Sequence, residues 1–281
     1  MRSMNLSLDR SVRMLPTRSA SGPRNMALDT VAARTVSSGG PATVRVYGWE
    51  PSTLSLGYAQ DTGTIDWSYC DRHEIDVTRR PTGGGAIYHD RYGDISYSIV
   101  LPRSAVDSDL IASYRTLCTP VMTALEHLGI DVAFAECSTV AIHEPACYLR
   151  GLEPAHDLVA STDRGTCKIS GNAQYRRRDA IVQHGSVMVC RHVDRHLGCF
   201  SADVDPHAFR DRVTSVRELV DADRIAVIEA LESALRGAID VENGSWSDTE
   251  QRWAEDLVAR KYGANTWVRE RQSGEHQEDA S

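Results

Sequence analysis

The rhythm of apolar and polar positions changes part-way along the chain. Residues 43–49 alternate with a period of two, and residues 54–58, 75–78 and 95–100 repeat the pattern with β-branched residues, so each predicts a strand. Ile87 reads as part of the same strand-forming region. The period then lengthens. Leu110, Ile111, Tyr114, Leu117, Cys118, Val121, Met122, Leu125 and Leu128 fall at helical spacing, which predicts a helix over 110–128 with Gly129 as its C-cap. Residues 131–135, 139–142 and 157–160 read as short strands. Asp163-Arg164-Gly165 is a hairpin turn signal, from which residues 167–170 return as a strand. A further strand region spans 181–190, after turn residues at 176–179. Beyond it the pattern is helical: 206–213, then 221–239 with Ile225, Ile228, Leu231 and Leu235 on one face, then 249–261. An earlier helix starts at Asn25 and stops at the run Ser37-Ser38-Gly39-Gly40-Pro41. Residues 1–23 show no period and read as a flexible extension, with Met4 or Met14 as an alternative start. Residues 271–281 are polar and read as a disordered tail. Strands dominate before residue 190 and helices follow. That order predicts an α+β domain over 24–270, a mixed sheet flanked by helices.

Composition narrows the function. A chain of 281 residues can bury one large core. It has no apolar run of about 18 residues, so no membrane span is expected, and no apolar stretch near the N-terminus suggests a secretory signal. A net charge of −8 argues against a nucleic-acid binder, which needs a basic face. The seven cysteines are odd in number and scattered, with neither CxxC pairs nor zinc-type Cys/His spacing. They predict mostly buried thiols in a reducing cytoplasm, and no metal held by the protein alone. Of the 31 Lys+Arg positions, only 168 and 261 are lysine. A lysine kept in such a chain answers a specific need: a compact ammonium approaches one oxygen as a point charge, where a guanidinium is too wide.

The strongest candidate chemistry lies at Arg79-Arg80-Pro81-Thr82-Gly83-Gly84-Gly85-Ala86-Ile87-Tyr88-His89-Asp90. Three consecutive glycines let the backbone lie flat against a ligand and turn its N–H groups towards oxygens. Two arginines before them offer planar forks for a carboxylate or phosphate. Alone, the glycines would read as a tight hairpin turn; with Arg-Arg before and Tyr-His-Asp after, they read as a ligand loop.

This segment resembles the RRxxGGGAVYHD signature of the lipoate–protein ligase and octanoyltransferase family, relatives of biotin protein ligase. Lys168-Ile169-Ser170-Gly171-Asn172-Ala173-Gln174 resembles the family's K-x-x-G-x-A-Q segment, and His184-Gly185-Ser186-Val187-Met188 its following strand. Trp49-Glu50-Pro51, Leu56-Gly57-Tyr58 and Arg260-Lys261-Tyr262 with Trp267 extend the likeness over roughly residues 25–267. The resemblance implies a largely antiparallel sheet of the class II biotin/lipoate ligase type. It also implies an enzyme that joins a lipoyl or octanoyl group to a carrier lysine. Expected acceptors are the lipoyl domains of 2-oxoacid dehydrogenase E2 subunits and the glycine cleavage H protein.

By the same resemblance Lys168 holds the acyl carbonyl and an adenylate phosphate, and Asp157 assists adenylation. Arg80, Gly83, Gly84, Gly85, Ala86, His89, Gly171, Ala173 and His184 form the acyl and adenylate pocket. Arg79 reads equally as an exposed side chain. His156 stands where the family's segment has Asn. Two routes remain. In the preferred one, a ligase uses ATP and Mg2+ to make an acyl-adenylate, with a separate accessory protein supplying the domain that full-length ligases carry. In the alternative, an octanoyltransferase takes its acyl group from acyl carrier protein onto Cys147 as a thioester and needs no cofactor. A non-catalytic acyl- or nucleotide-binding homologue is the reading from another class; the retained Lys168 argues against it.

Overall fold

A computed structural model describes residue 6 and residues 8–272. Its strands are β1 (Val12–Ala20), β2 (Ala42–Trp49), β3 (Thr53–Leu56), β4 (Asp76–Arg79), β5 (Ile87–His89), β6 (Asp94–Pro102), β7 (Val132–Phe134), β8 (Leu158–Thr162), β9 (Gly165–Arg176), β10 (Ala180–Met188) and β11 (Glu242–Asn243). Eight of them form one sheet in the order β11-β1-β2-β6-β10-β9-β8-β7. The β11–β1 and β1–β2 pairs are parallel, and the pairs from β2 to β7 are antiparallel. A small sheet, β4-β3-β5, stands beside it. The result is the mixed, largely antiparallel α+β fold that the resemblance implies.

Apolar periodicity explains the helices. The predicted helix forms over Leu110–His127, capped by the Asp109 side chain, which accepts from the Ala112 N–H at 2.7 Å. Gly129 follows at φ +87°, the left-handed conformation that a glycine adopts freely. This helix packs on Arg224–Ala238, and together they bury Leu117, Val121, Leu231 and Leu235 against Val44, Ile99 and Ile181 of the sheet. A second core gathers Met26 and Val31 of the Gly22–Ser37 helix with Trp49, Leu54, Tyr88, Tyr148 and Tyr262. The small sheet and the site belong to this second core.

Two expectations fail. Residues 12–20 are the ordered strand β1, not part of a flexible extension. Val12, Met14 and Leu15 are buried, and Arg13 pairs with Glu250. Val12, Arg13 and Met14 begin an alternation, but Leu15 and Pro16 break it, and a whole helix separates the strand from its parallel partner β2. Residues 139–142, read as a strand, form irregular chain. Val140 is 86% exposed and Ile142 42%, so β-branched side chains had no sheet to pack against. The tail expected at 271–281 lies outside the described residues beyond Gln272. Among the described residues no helix is long and apolar enough to cross a membrane.

Candidate active site

The glycine loop joins β4 to β5 and forms one wall of a cavity of about 580 Å³. The three glycines do different work. Gly84 has φ +94°. Gly85 lies so close to the 144–147 chain that an added Cβ would sit 2.7 Å from the Pro145 carbonyl oxygen and 2.9 Å from the Cys147 nitrogen. Gly83 has open space around it. Gly83 and Gly84 face the cavity. Gly85 and Ala86 do not line it; they back onto the neighbouring loop, where Ala86 N–H donates to Pro145 O at 2.7 Å and Cys147 N–H donates to Ala86 O at 2.8 Å.

The arginines hold this loop from behind. Arg80 is buried and donates to Ser55 O at 2.6 Å, Gly83 O at 2.9 Å and Gly85 O at 2.7 Å. Burial pushes its pKa down to about 10, against a partial offset from Cys147. Arg79 is buried, not exposed. It donates to the carbonyls of Gly57, Tyr58, Gln60 and Val268 and so ties the C-terminal segment to the loop. A guanidinium fork suits such carbonyl sets, but backbone acceptors leave no mark in a sequence.

Behind the loop, Thr82 Oγ1 lies 2.9 Å from His184 Nε2, whose Nδ1 lies 3.2 Å from Asp29. Asp29 also pairs with Arg45 at 2.8 Å. Burial works to raise the Asp29 pKa, but Arg45 and His184 outweigh it and lower the carboxyl to about 2. His89 stacks on Trp49 at 4.0 Å between ring centres and contacts Ser55 at 2.9 Å and Asp94 at 3.3 Å. Burial lowers its pKa, against the raising effect of Asp94.

The facing wall carries a second charge cluster. Lys168 leaves β9 beside a bulge, with Ile169 as the extra residue opposite the Leu158–Val159 step of β8. Its ammonium is 2% exposed, 2.8 Å from Asp157 Oδ1, 3.2 Å from the Cys147 carbonyl and 3.9 Å from Cys147 Sγ. Burial alone would lower the Lys168 pKa, but the charges of Cys147 and Asp157 override it and leave it raised. Asp157 is the mirror case: burial raises its pKa, and Lys168 with His156 brings it below the ordinary value. Its Oδ2 accepts from the Glu153 N–H at 3.1 Å, which fixes the carboxylate. Cys147 is half-buried and opens a short turn, Cys147–Leu149. A permanent ammonium beside its sulfur can balance the charge of a thiolate nucleophile. Met26, Tyr47, Trp49 and Ile87 give the cavity an apolar end, and Gly171, Ala173, His184 and Ser186 are also part of its lining.

Residues 21–236 match the family described as lipoyl protein ligase A/B catalytic domain. This chain belongs to that family. Among its relatives, the octanoyltransferase LipM of Kyrpidia tusciae is 31% identical, covering 91% of this chain and 97% of the relative. That of Geobacillus kaustophilus is 30% identical over 86% and 92%. The fold is similar to a bi-partite lipoate protein ligase from Thermoplasma acidophilum, with TM-score 0.78, 23% identity, and coverage of 95% and 99%. It is also similar to a lipoate-protein ligase A solved with ATP, with TM-score 0.75, 25% identity, and coverage of 92% and 98%. The chain is thus an enzyme of the group that attaches lipoyl or octanoyl groups.

Within this lipoyl ligase A/B domain the two walls bring together Arg80, Gly83, Gly84, His89, Gly171, Ala173 and His184 with Cys147, Asp157 and Lys168. Sequence reasoning missed Asp29, Arg45, Thr82 and Asn172. Asn172 accepts from Tyr97 Oη at 2.6 Å and donates to His156 O at 2.8 Å. A signal for two of them was present: Asp29 and Arg45 interrupt otherwise apolar stretches in a helix and a strand.

Proposed function

We propose that this chain is an octanoyltransferase that carries the acyl group on Cys147 and passes it to a carrier-protein lysine. The observation that carries the reading is the half-buried Cys147 sulfur, set in the cavity wall 3.9 Å from the buried Lys168 ammonium. The motif alone favoured the ligase branch. The relatives' names support the other one, and so does a thiol set in the cavity wall beside the Lys168 ammonium.

The route has two steps. Cys147 Sγ attacks the octanoyl thioester of acyl carrier protein, and the donor thiol leaves with the proton. The acceptor lysine amine then attacks the Cys147 thioester, forming the amide and returning the thiol. Lys168 supplies positive charge where each carbonyl oxygen becomes negative. Asp157 holds that ammonium in place. The apolar end formed by Met26, Tyr47, Trp49 and Ile87 accepts the acyl chain. Lipoyl domains of 2-oxoacid dehydrogenase E2 subunits and the glycine cleavage H protein are the proposed acceptors. This route needs neither ATP nor an accessory protein.

The test is to incubate the pure protein with an apo lipoyl domain and either octanoyl carrier protein or lipoate with ATP and Mg2+. An octanoylated acceptor from the first mixture is expected. Modification from the second mixture alone would return the chain to the ligase branch.

A further inference from the structure

The acceptor lysine reaches the site as an ammonium, since a lysine amine keeps its proton to about pH 10. It must lose a proton before it attacks. Most groups lining the cavity are unfit to take that proton. Lys168 stays protonated, held by Asp157, and Asp157 is a weak base because its pKa is lowered. Cys147 is occupied as the thioester in this step. His89 and His184 are buried: His89 Nε2 meets Ser55 and its Nδ1 lies 3.3 Å from Asp94, out of line for a hydrogen bond, and His184 is engaged by Thr82 and Asp29. Glu144 lies on the rim, 3.3 Å from Arg150.

His156 differs from all of these. Its side chain is 30% exposed and lines the cavity, and its Nδ1 lies 3.3 Å from Asp157 Oδ1. That oxygen is the one 2.8 Å from Lys168, so one carboxylate touches both side chains. A carboxylate beside Nδ1 favours the tautomer that keeps its proton there and leaves Nε2 as a free acceptor. The contact is out of line for a full hydrogen bond, as catalytic contacts often are before substrate binds. The Tyr114 ring packs at 5.1 Å, and the backbone carbonyl of His156 accepts from Asn172 at 2.8 Å, so the loop is anchored.

We propose that His156 is a catalytic residue of the second step, the general base that deprotonates the incoming lysine. This rests on the transferase reading above. The protons balance. The lysine ammonium gives one proton to His156, which later releases it to solvent. The amine attacks the Cys147 thioester. As the C–S bond breaks, the second nitrogen proton passes to the departing Cys147 thiolate, leaving an amide and a thiol.

The experiment uses octanoyl-loaded protein in single turnover, with either an apo lipoyl domain or hydroxylamine as acceptor. Hydroxylamine is already uncharged near neutral pH and needs no base. His156→Asn is expected to slow transfer to the lipoyl domain about 100-fold relative to transfer to hydroxylamine. His156→Gln should do the same. Thermal melting of each variant confirms folding, which the backbone contact to Asn172 preserves. A normal adduct with lysine transfer within about threefold of the parent, or an equal slowing with both acceptors, would overturn the role of His156 alone. Failure of the unmodified protein to form any adduct would remove the transferase reading and this role together.

Discussion

The two walls of the cavity are both built on buried charge, but they are finished differently. On the glycine-loop wall the charges are answered by protein. Arg80 spans Ser55, Gly83 and Gly85, and Arg45, Asp29, His184 and Thr82 form a chain of contacts between 2.8 and 3.2 Å. On the facing wall, Asp157 and Lys168 end at a half-buried thiol and a partly exposed imidazole. The first wall is committed to shape and the second keeps valences free for substrate. The choice of cation follows the same line. Guanidiniums serve several carbonyls at once, whereas the ammonium sits as a point charge beside one sulfur.

If this contrast is right, breaking the closed wall should cost mainly stability. Arg45→Met strands the Asp29 carboxylate, which is 2% exposed, and is expected to cost about 3–5 kcal/mol in urea unfolding. A loss under about 1 kcal/mol would show that the network is slack. Breaking the open wall should cost mainly rate. Lys168→Arg keeps the charge but widens the head, and is expected to lower acyl transfer roughly 100-fold or more with a smaller change in melting. Activity within a few-fold of the parent would remove Lys168 from the chemistry.

The junction of the walls gives a finer contrast. Gly85→Ala drives a Cβ to 2.7 Å from Pro145 O and 2.9 Å from the Cys147 nitrogen. It should cost about 1–3 kcal/mol and shift the thiol. Gly83→Ala meets nothing within 4 Å and should stay within about 0.5 kcal/mol of the parent. Equal effects at the two positions would mean that the close approach is unimportant.

The smallest effect is a pH effect on the closed wall. The folded Asp29 pKa is about 2 against an ordinary 3.8. Because it is lowered on folding, its stabilisation is complete above about pH 4 and drains away as pH falls through about 2. Asp29→Asn should flatten the acid limb of stability in that window, read as urea midpoints. An unchanged limb would place the acid sensitivity elsewhere, with Glu250, also lowered to about 2 beside Arg13, as the next candidate.

Each wall carried a legible signal in the sequence, the closed one in its Arg-Arg and Gly-Gly-Gly run and the open one in its lysine. Lys168 stood out because the chain otherwise replaces lysine with arginine, whereas His156 registered only as a departure from the asparagine of the resembled segment. The helix Leu110–His127 was readable to within a residue because its apolar face and Gly129 act locally. The roles of Arg79 and Arg80 were not readable, since their acceptors are backbone carbonyls brought in by β3, the glycine loop and the C-terminal segment. Strand β1 was hidden because its alternation breaks at Leu15 and Pro16 and its partners are reached only across a helix, for β2, or near the far end of the chain, for β11. Thr139, Val140 and Ile142 misled by composition: a strand requires a neighbour to cover it.

The central claim is that Cys147 carries the acyl group. It is tested most directly by mixing the protein with octanoyl carrier protein and no acceptor, then mapping the added mass by peptide mass spectrometry. The account predicts one octanoyl group on Cys147, removed by hydroxylamine and absent from Cys147→Ser, which should also lose turnover. No adduct, together with a Cys147→Ser variant that still modifies a lipoyl domain from lipoate and ATP, would contradict it.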